Sequence, residues 1–218
     1  MTPDRSPRRI VVGVTGASGA VYARRLIHCL CAANVEVHLV VSPHGRQLLR
    51  EELGIEGDDV RALVGSDCDT LVHHSYRDIG SPLASGSFPT DGMIICPCSG
   101  NSLAAIANGI ADNLLYRAAA VTLKERRRLV LVPREMPWGR IELLNALRLT
   151  ESGAVICPAS PGFYMRPTVI DDLVDFVVGK LLDLVEVPHA LDTRWADQRE
   201  RGASTTRPAA GQLDDAVT

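Results

Sequence analysis

A chain of 218 residues, 46% hydrophobic and 22% charged, is long enough to enclose one substantial core and reads as a single domain. Its formal net charge of -3 offers no basic field for nucleic acid, and the longest basic run, Arg126-Arg127-Arg128, is short. No segment is long and apolar enough to span a bilayer, and the N-terminus leads into a strand without a signal-peptide core, so a cytoplasmic protein with no membrane partner is expected. Six cysteines fit that compartment. Cys29, Cys31, Cys96, Cys98 and Cys157 stand in apolar patterns where free thiols behave as small hydrophobes. No Cys-x-x-Cys pair occurs and His73-His74 has no ligand spacing to the cysteines, so no metal is expected.

In chain order, the β-branched run Ile10 to Val14 predicts a first strand, and Ala20 to Ala32 carries helical apolar spacing. Val35 to Val41 predicts a second strand, ending at Ser42. The stretch from Gly54 to Pro89 is polar and rich in Gly and Ser around Ser81 to Ser87, which predicts loop with one weak strand near Leu71. Met93 to Cys96 is a third clear strand, followed by helices over Leu103 to Asn108 and Asn113 to Arg126. Leu129 to Val132 and Ala154 to Cys157 are further strands, with helices at Ile141 to Glu151 and Thr168 to Val185. Short apolar runs alternating with helices signal βαβ units. Right-handed crossovers then give a three-layer α/β/α sandwich with a mainly parallel sheet, Rossmann-like or flavodoxin-like. The predicted organisation is an N-terminal extension over 1–8, a domain over 9–187, a C-terminal arm over 188–201 and a disordered tail over 202–218.

Chemistry concentrates where these strands end. The first βα turn, Gly13-Val14-Thr15-Gly16-Ala17-Ser18-Gly19, has small residues that let backbone N–H groups approach a phosphate at a helix N-terminus. Its spacing is not Gly-x-Gly-x-x-Gly, and the second strand ends at Ser42 without the acidic residue that would hold a dinucleotide ribose. A mononucleotide with a polyol chain, such as FMN, fits at least as well. A second small-residue turn, Cys96-Pro97-Cys98-Ser99-Gly100-Asn101-Ser102, opens the next helix, where Ser99, Asn101 and Ser102 serve equally as N-caps. After the fourth strand, Pro133-Arg134-Glu135-Met136-Pro137-Trp138 sets a guanidinium beside a carboxylate, able to face a phosphate and a proton together.

Several motifs in one order carry a resemblance. Thr15-Gly16-Ala17-Ser18-Gly19, Ala84-Ser85-Gly86-Ser87, Leu123-Lys124-Glu125, Leu131-Val132-Pro133-Arg134-Glu135, Pro161-Gly162-Phe163-Tyr164 and the run from Asp172 to Lys180 are similar to the UbiX-type flavin prenyltransferases. The match covers about residues 9 to 196. The resemblance implies an FMN-binding protomer that joins reduced flavin, at N5 and C6, to a dimethylallyl group from dimethylallyl phosphate. It further implies prenylated FMN for a UbiD-type decarboxylase, no metal, and a homododecamer.

On that resemblance Gly16, Ala17, Ser18, Ser42, Ser99, Gly100, Asn101, Ser102 and Arg134 would hold the cofactor. Lys124, Arg134, Tyr164, Lys180 and Trp195 would hold the substrate, and Glu135, Ser18 and Lys124 would carry catalysis. The departing phosphate needs cations and donors, which Lys124, Arg134 and Lys180 supply. Ring closure needs proton transfer, for which Glu135 or the released phosphate serves. Aromatic faces at Tyr164 and Trp195 suit a cationic intermediate. Each has a plain competitor: Lys124 as a helix-end cation, Lys180 as a snorkelling lysine behind a Thr168/Asp171 cap, and Trp195 as a surface residue. Gly179 inside a helix suggests close approach of a ligand or subunit. Met165 stands where a histidine often follows the Phe-Tyr pair, and Ser99-Gly100-Asn101-Ser102 is smaller than in many relatives, which leaves monophosphate against diphosphate open. Two rival functions remain. Leu103 to Leu115 is similar to a segment of FMN-dependent cysteine decarboxylases, and a noncatalytic FMN-binding decarboxylase subunit would share the same turns.

Overall fold

The computed structural model describes residues 7–56, 60–64, 68–191 and 193. Among them one sheet contains β1 (Arg9–Val14), β2 (Glu36–Val41), β3 (Leu71–His74), β4 (Gly92–Cys98), β5 (Arg128–Pro133) and β6 (Val155–Ile156). Every pairing is parallel, and the order across the sheet is β3-β2-β1-β4-β5-β6. The chain winds outward from β1 to β3, then restarts beside β1 at β4 and winds outward to β6. The winding therefore reverses between β1 and β4, and in open α/β sheets the crevice beyond the strand carboxyl ends at such a reversal receives ligands.

Both faces of the sheet are covered, which explains the nearly continuous apolar strands. Ile10, Val12, Leu39, Ile94 and Val130 pack with α1 (Ala20–Ala32), α2 (Pro43–Leu53) and α6 (Ile170–Leu184). Val11, Val40, Met93, Ile95 and Leu131 pack on the other face with α3 (Gly100–Ala107), α4 (Leu114–Lys124) and α5 (Arg140–Glu151). Side chains alternate with period two, so a slip of one residue would exchange the cores and register is firmly set.

The predicted three-layer parallel architecture holds, with four local differences. First, residues 43–53 form α2: Ser42 Oγ accepts the Gly45 N–H at 3.0 Å, Pro43 takes the first turn, and Gly54 stops the helix at φ 67°. Pro-His-Gly-Arg-Gln is too polar to display an apolar stripe, so the Ser-Pro start was its main sequence signal. Second, Cys31 and Cys68 are joined by a disulfide, correcting the expected free thiol at Cys31. The end of α1 and the approach to β3 lie side by side at the amino-terminal end of the sheet, a contact that spacing along the chain does not announce. Cys29, Cys96, Cys98 and Cys157 are free.

Third, α6 is capped by Asp172 rather than Asp171: its carboxylate accepts the N–H groups of Thr168 at 2.7 Å and Val169 at 3.1 Å. Fourth, what comes close to Gly179 is this chain's own Thr193, whose Oγ1 lies 2.5 Å from where a Cβ would stand. The weak strand near Leu71 is β3, flanked by 3₁₀ turns at Val60–Leu63 and Pro82–Ala84. Among the described residues no helix is long and apolar enough to cross a membrane. The tail over 202–218 and most of the arm over 188–201 lie outside the described residues.

Candidate functional site

The two small-residue turns meet above the β1/β4 crevice, and Thr15 ties them together. Its hydroxyl donates to the Pro97 carbonyl at 2.9 Å and accepts the Ser99 N–H at 2.8 Å, while its own N–H donates to Pro97 at 3.2 Å. Gly16 and Ser18 are exposed at the rim, with Ala17 folded beneath them. Gly16 is required sterically, since a Cβ there would stand 2.5 Å from His44 Cβ in the first turn of α2. The result is an open concave turn at the N-terminus of α1, walled on one side by α2.

Ser99 caps α3 by accepting the Ser102 N–H at 3.2 Å. Gly100 and Asn101 remain at the surface, whereas Ser102 is 2% exposed and bonds inward to Ser99 Oγ and Tyr116 Oη. Ser42 is likewise engaged as the α2 cap. Ser102 and Ser42 thus shape the two turns, and Gly16, Ser18, Gly100 and Asn101 present the surface.

Arg134, just past β5, leans back over the first turn: its Nε donates to the Ser18 carbonyl at 3.0 Å. The guanidinium is exposed and available to an anion. Glu135 is also exposed; its Oε1 accepts the Met136 N–H at 3.3 Å, and Trp138 Nε1 donates to its carbonyl oxygen at 3.0 Å. The indole thereby fixes the backbone that presents the Arg-Glu pair. The peptide bonds before Pro97 and Pro137, flanking the two strand ends, are both cis.

Sequence reasoning missed Glu52, near the end of α2. Its carboxylate accepts the Gly19 N–H at 3.0 Å and the Ala20 N–H at 2.7 Å. Partial burial pushes this carboxyl up, but the bonds from Ser18, Gly19 and Ala20 and the charge of Arg134 hold it below the usual range. Glu52 therefore fixes Ser18 and fills the first orphan donors of α1. Because it lies in the unassigned helix and reaches over more than thirty residues, no local pattern marked it.

Tyr164 and Phe176 pack edge to face with centroids 5.6 Å apart, placing the half-exposed phenol above α6. Lys180 is exposed on α6, and its charge acts on the Cys157 thiol just past β6. Burial pushes Cys96, Cys98 and Cys157 upward, to about 12 at Cys98, so these thiols stay protonated. Arg134 and Tyr164 thus belong to the carboxyl-end side of the sheet, whereas Lys180 lies farther along α6, whose C-terminal end meets Arg8 just before β1.

Lys124 is not on the carboxyl-end side. It ends α4, pairs with Glu125 and abuts Gly86, immediately before β5 begins. Arg134 follows the opposite end of that strand, six residues long, which separates them by about 20 Å at the usual rise. Trp195 lies outside the described residues.

FMN fits this surface: an exposed glycine turn for a phosphate, a second polar turn across the crevice, and a guanidinium anchored between turn and strand end. Among the described residues no three His, Cys, Asp or Glu side chains gather to hold a metal. Residues 2–182 match the family model Flavoprotein. A flavin prenyltransferase UbiX of Halalkalibacterium halodurans is 48% identical over 193 residues, spanning 87% of this chain and 94% of that protein. The crystal structure of AnUbiX (PadA1) in complex with FMN and dimethylallyl pyrophosphate is 44% identical, with a TM-score of 0.81 over 87% of this chain and 98% of that one. The dodecameric FMN-dependent UbiX-like decarboxylase of Escherichia coli O157:H7 is 42% identical, with a TM-score of 0.79 over 86% and 98% of the two chains. With the glycine turn, the Arg-Glu pair and the strand order agreeing, the chain belongs to the UbiX flavin prenyltransferases, within the flavoprotein family.

Proposed function

We propose that this protein joins the dimethylallyl group of dimethylallyl phosphate to N5 and C6 of reduced FMN, releasing phosphate. The observation that carries the site assignment is the 3.0 Å bond from Arg134 to the Ser18 carbonyl, which unites the phosphate turn and the strand-end cation. The reduced flavin supplies the nucleophilic atoms. Gly16, Ala17 and Ser18 bind and orient it from the β1 turn, and Ser99, Gly100 and Asn101 from the β4 turn. Arg134 faces the departing phosphate, with the Tyr164 hydroxyl as a further donor. Glu135, exposed and beside Arg134, moves the proton that ring closure requires.

Lys124 joins a site of this kind only from another copy of the chain. A homo-oligomer is supported by the exposed apolar residues Met136, Ile141, Leu143 and Leu147 along and beside α5, and would let a second copy bring Lys124 to the site. By analogy with the dodecameric relative the assembly is a dodecamer. The product goes to a UbiD-type decarboxylase; a cytoplasmic location rests on the family resemblance, because the Cys31–Cys68 disulfide removes the support that free cysteines lent it.

The test is anaerobic incubation with reduced FMN and dimethylallyl phosphate, followed by mass spectrometry of the extracted flavin. A gain of one isoprene unit is expected, and Glu135→Gln slows its formation by about a hundredfold or more while leaving FMN affinity nearly unchanged. Unmodified flavin with both the monophosphate and the diphosphate would refute the reading. Release of carbon dioxide from a cysteinyl peptide would favour the cysteine decarboxylase instead.

A further inference from the structure

The proposed reaction leaves unused a buried polar chain near the β3 edge of the sheet. His74 is in register with Val40, and His38, two residues before Val40, shares its face. His38 Nδ1 lies 2.9 Å from His74 Nε2, and His74 Nδ1 lies 2.9 Å from Ser81 Oγ. At the other end His38 Nε2 lies 2.9 Å from Glu36 Oε1, so the carboxylate faces that nitrogen. His38 and Ser81 are 3% and 4% exposed.

Proton counting gives the chain a direction. The Glu36 carboxylate favours the His38 proton on Nε2, leaving Nδ1 as acceptor. His74 then donates from Nε2, and its Nδ1 accepts from the Ser81 hydroxyl. Each link holds one proton when both rings are neutral. A proton added at His74 Nδ1 only turns the Ser81 hydroxyl round so that its oxygen accepts, and that contact survives. One added at His38 Nδ1 sets N–H against N–H across the 2.9 Å contact.

The surroundings favour the neutral form. Burial is the leading influence, holding both histidines below their ordinary value. At His38 the Glu36 charge opposes burial and Arg9 reinforces it; at His74 the His38 and His73 rings reinforce burial and Asp78 opposes it. Arg9 pairs with Glu36 at 3.0 Å and lies over the Phe88 ring, which meets His38 edge-on at 5.2 Å. The chain therefore touches both ends of the segment from Ser81 to Phe88.

We propose that Glu36, His38, His74 and Ser81 form a pH-sensitive latch that holds residues 81–88 against β2 and β3, closed while His38 is neutral. The latched segment carries Gly86, which abuts Lys124, and Phe88 and Gly86 carbonyls that accept from Arg127. Opening parts His38 from His74 and Phe88 and loosens the segment at its ends, while Leu83 in the core and the Arg117 and Arg127 bonds to the Ala84, Gly86 and Phe88 carbonyls remain; only the consequence for turnover rests on the proposed prenyl transfer.

The test uses the full wild-type protein without flavin or prenyl donor, so its failure is separate from failure of that function. Histidine C2-hydrogen exchange read by mass spectrometry between about pH 4 and 8 follows each ring, and amide exchange follows residues 81–88. Both rings should titrate below an unfolded-chain histidine. Protection of residues 81–88 should fall about tenfold, the worth of one lost buried contact, through the His38 midpoint, while α1 peptides stay protected. His74→Gln should remove the pH dependence. Ordinary or raised midpoints at His38 and His74, or protection of 81–88 that ignores the His38 titration, would overturn the latch.

Discussion

Loss of the Cys31–Cys68 disulfide should destabilise the protein by about 4 kcal/mol. The two cysteines are 37 residues apart in sequence, and the chain-entropy expression for a loop of that size gives about 4 kcal/mol at 25 °C. Serine at Cys31 or Cys68 leaves almost no cavity, since both side chains are only partly buried, so the entropic contribution dominates. For a domain of this size 1 kcal/mol moves Tm by about 2–4 °C, which makes the expected fall about 10 °C. The assay is thermal unfolding of Cys31→Ser, Cys68→Ser and the double variant, each with and without reductant. The single and double variants should coincide, because one bond is lost once. Reductant should lower wild type to the same Tm and leave the variants unmoved. Alkylation of unfolded, unreduced wild type should label the four free cysteines, Cys29, Cys96, Cys98 and Cys157. Labelling of Cys31 and Cys68 in that experiment, or single variants that melt with wild type, would refute the reasoning.

Gly16→Ala should drive His44 and α2 away from the first turn, because the new methyl would sit 2.5 Å from His44 Cβ. A cost of about 1–3 kcal/mol and at least a tenfold loss of FMN affinity by fluorescence titration are expected, and wild-type affinity would contradict the steric argument. Glu52→Ala leaves the Gly19 and Ala20 N–H groups without their side-chain acceptor; as Glu52 is largely exposed, the loss by denaturant unfolding should be about 1 kcal/mol. Its native carboxyl lies below the ordinary value, so the stabilisation is complete above that value and disappears as pH falls through the depressed one. The gap between wild type and variant should therefore close in acid, and a gap that widens would reverse the assignment.

The strands were legible in sequence because burial on both faces of a sheet demands short apolar, β-branched runs, and those are written in consecutive residues. The glycine turn, the Ser99 cap and the Arg134-Glu135 pair were legible for the same reason, each being a few adjacent residues whose backbone or charge requirement is local. The helix over Pro43–Leu53 was harder, since it buries only Gly45, Leu48 and Leu49 and so carries little periodicity. Glu52 on the α1 N-terminus, the Cys31–Cys68 bond and the His38–His74 contact were not legible, because each joins segments brought together by strand order and register. Lys124 shows the converse: its motif resembles part of a site, yet the length of β5 holds it about 20 Å from Arg134 within one chain. Local pattern determined which elements form and which residue types their ends present; the parallel winding order of the sheet decided which ends meet, since proximity across strands depends on register and not on distance along the chain.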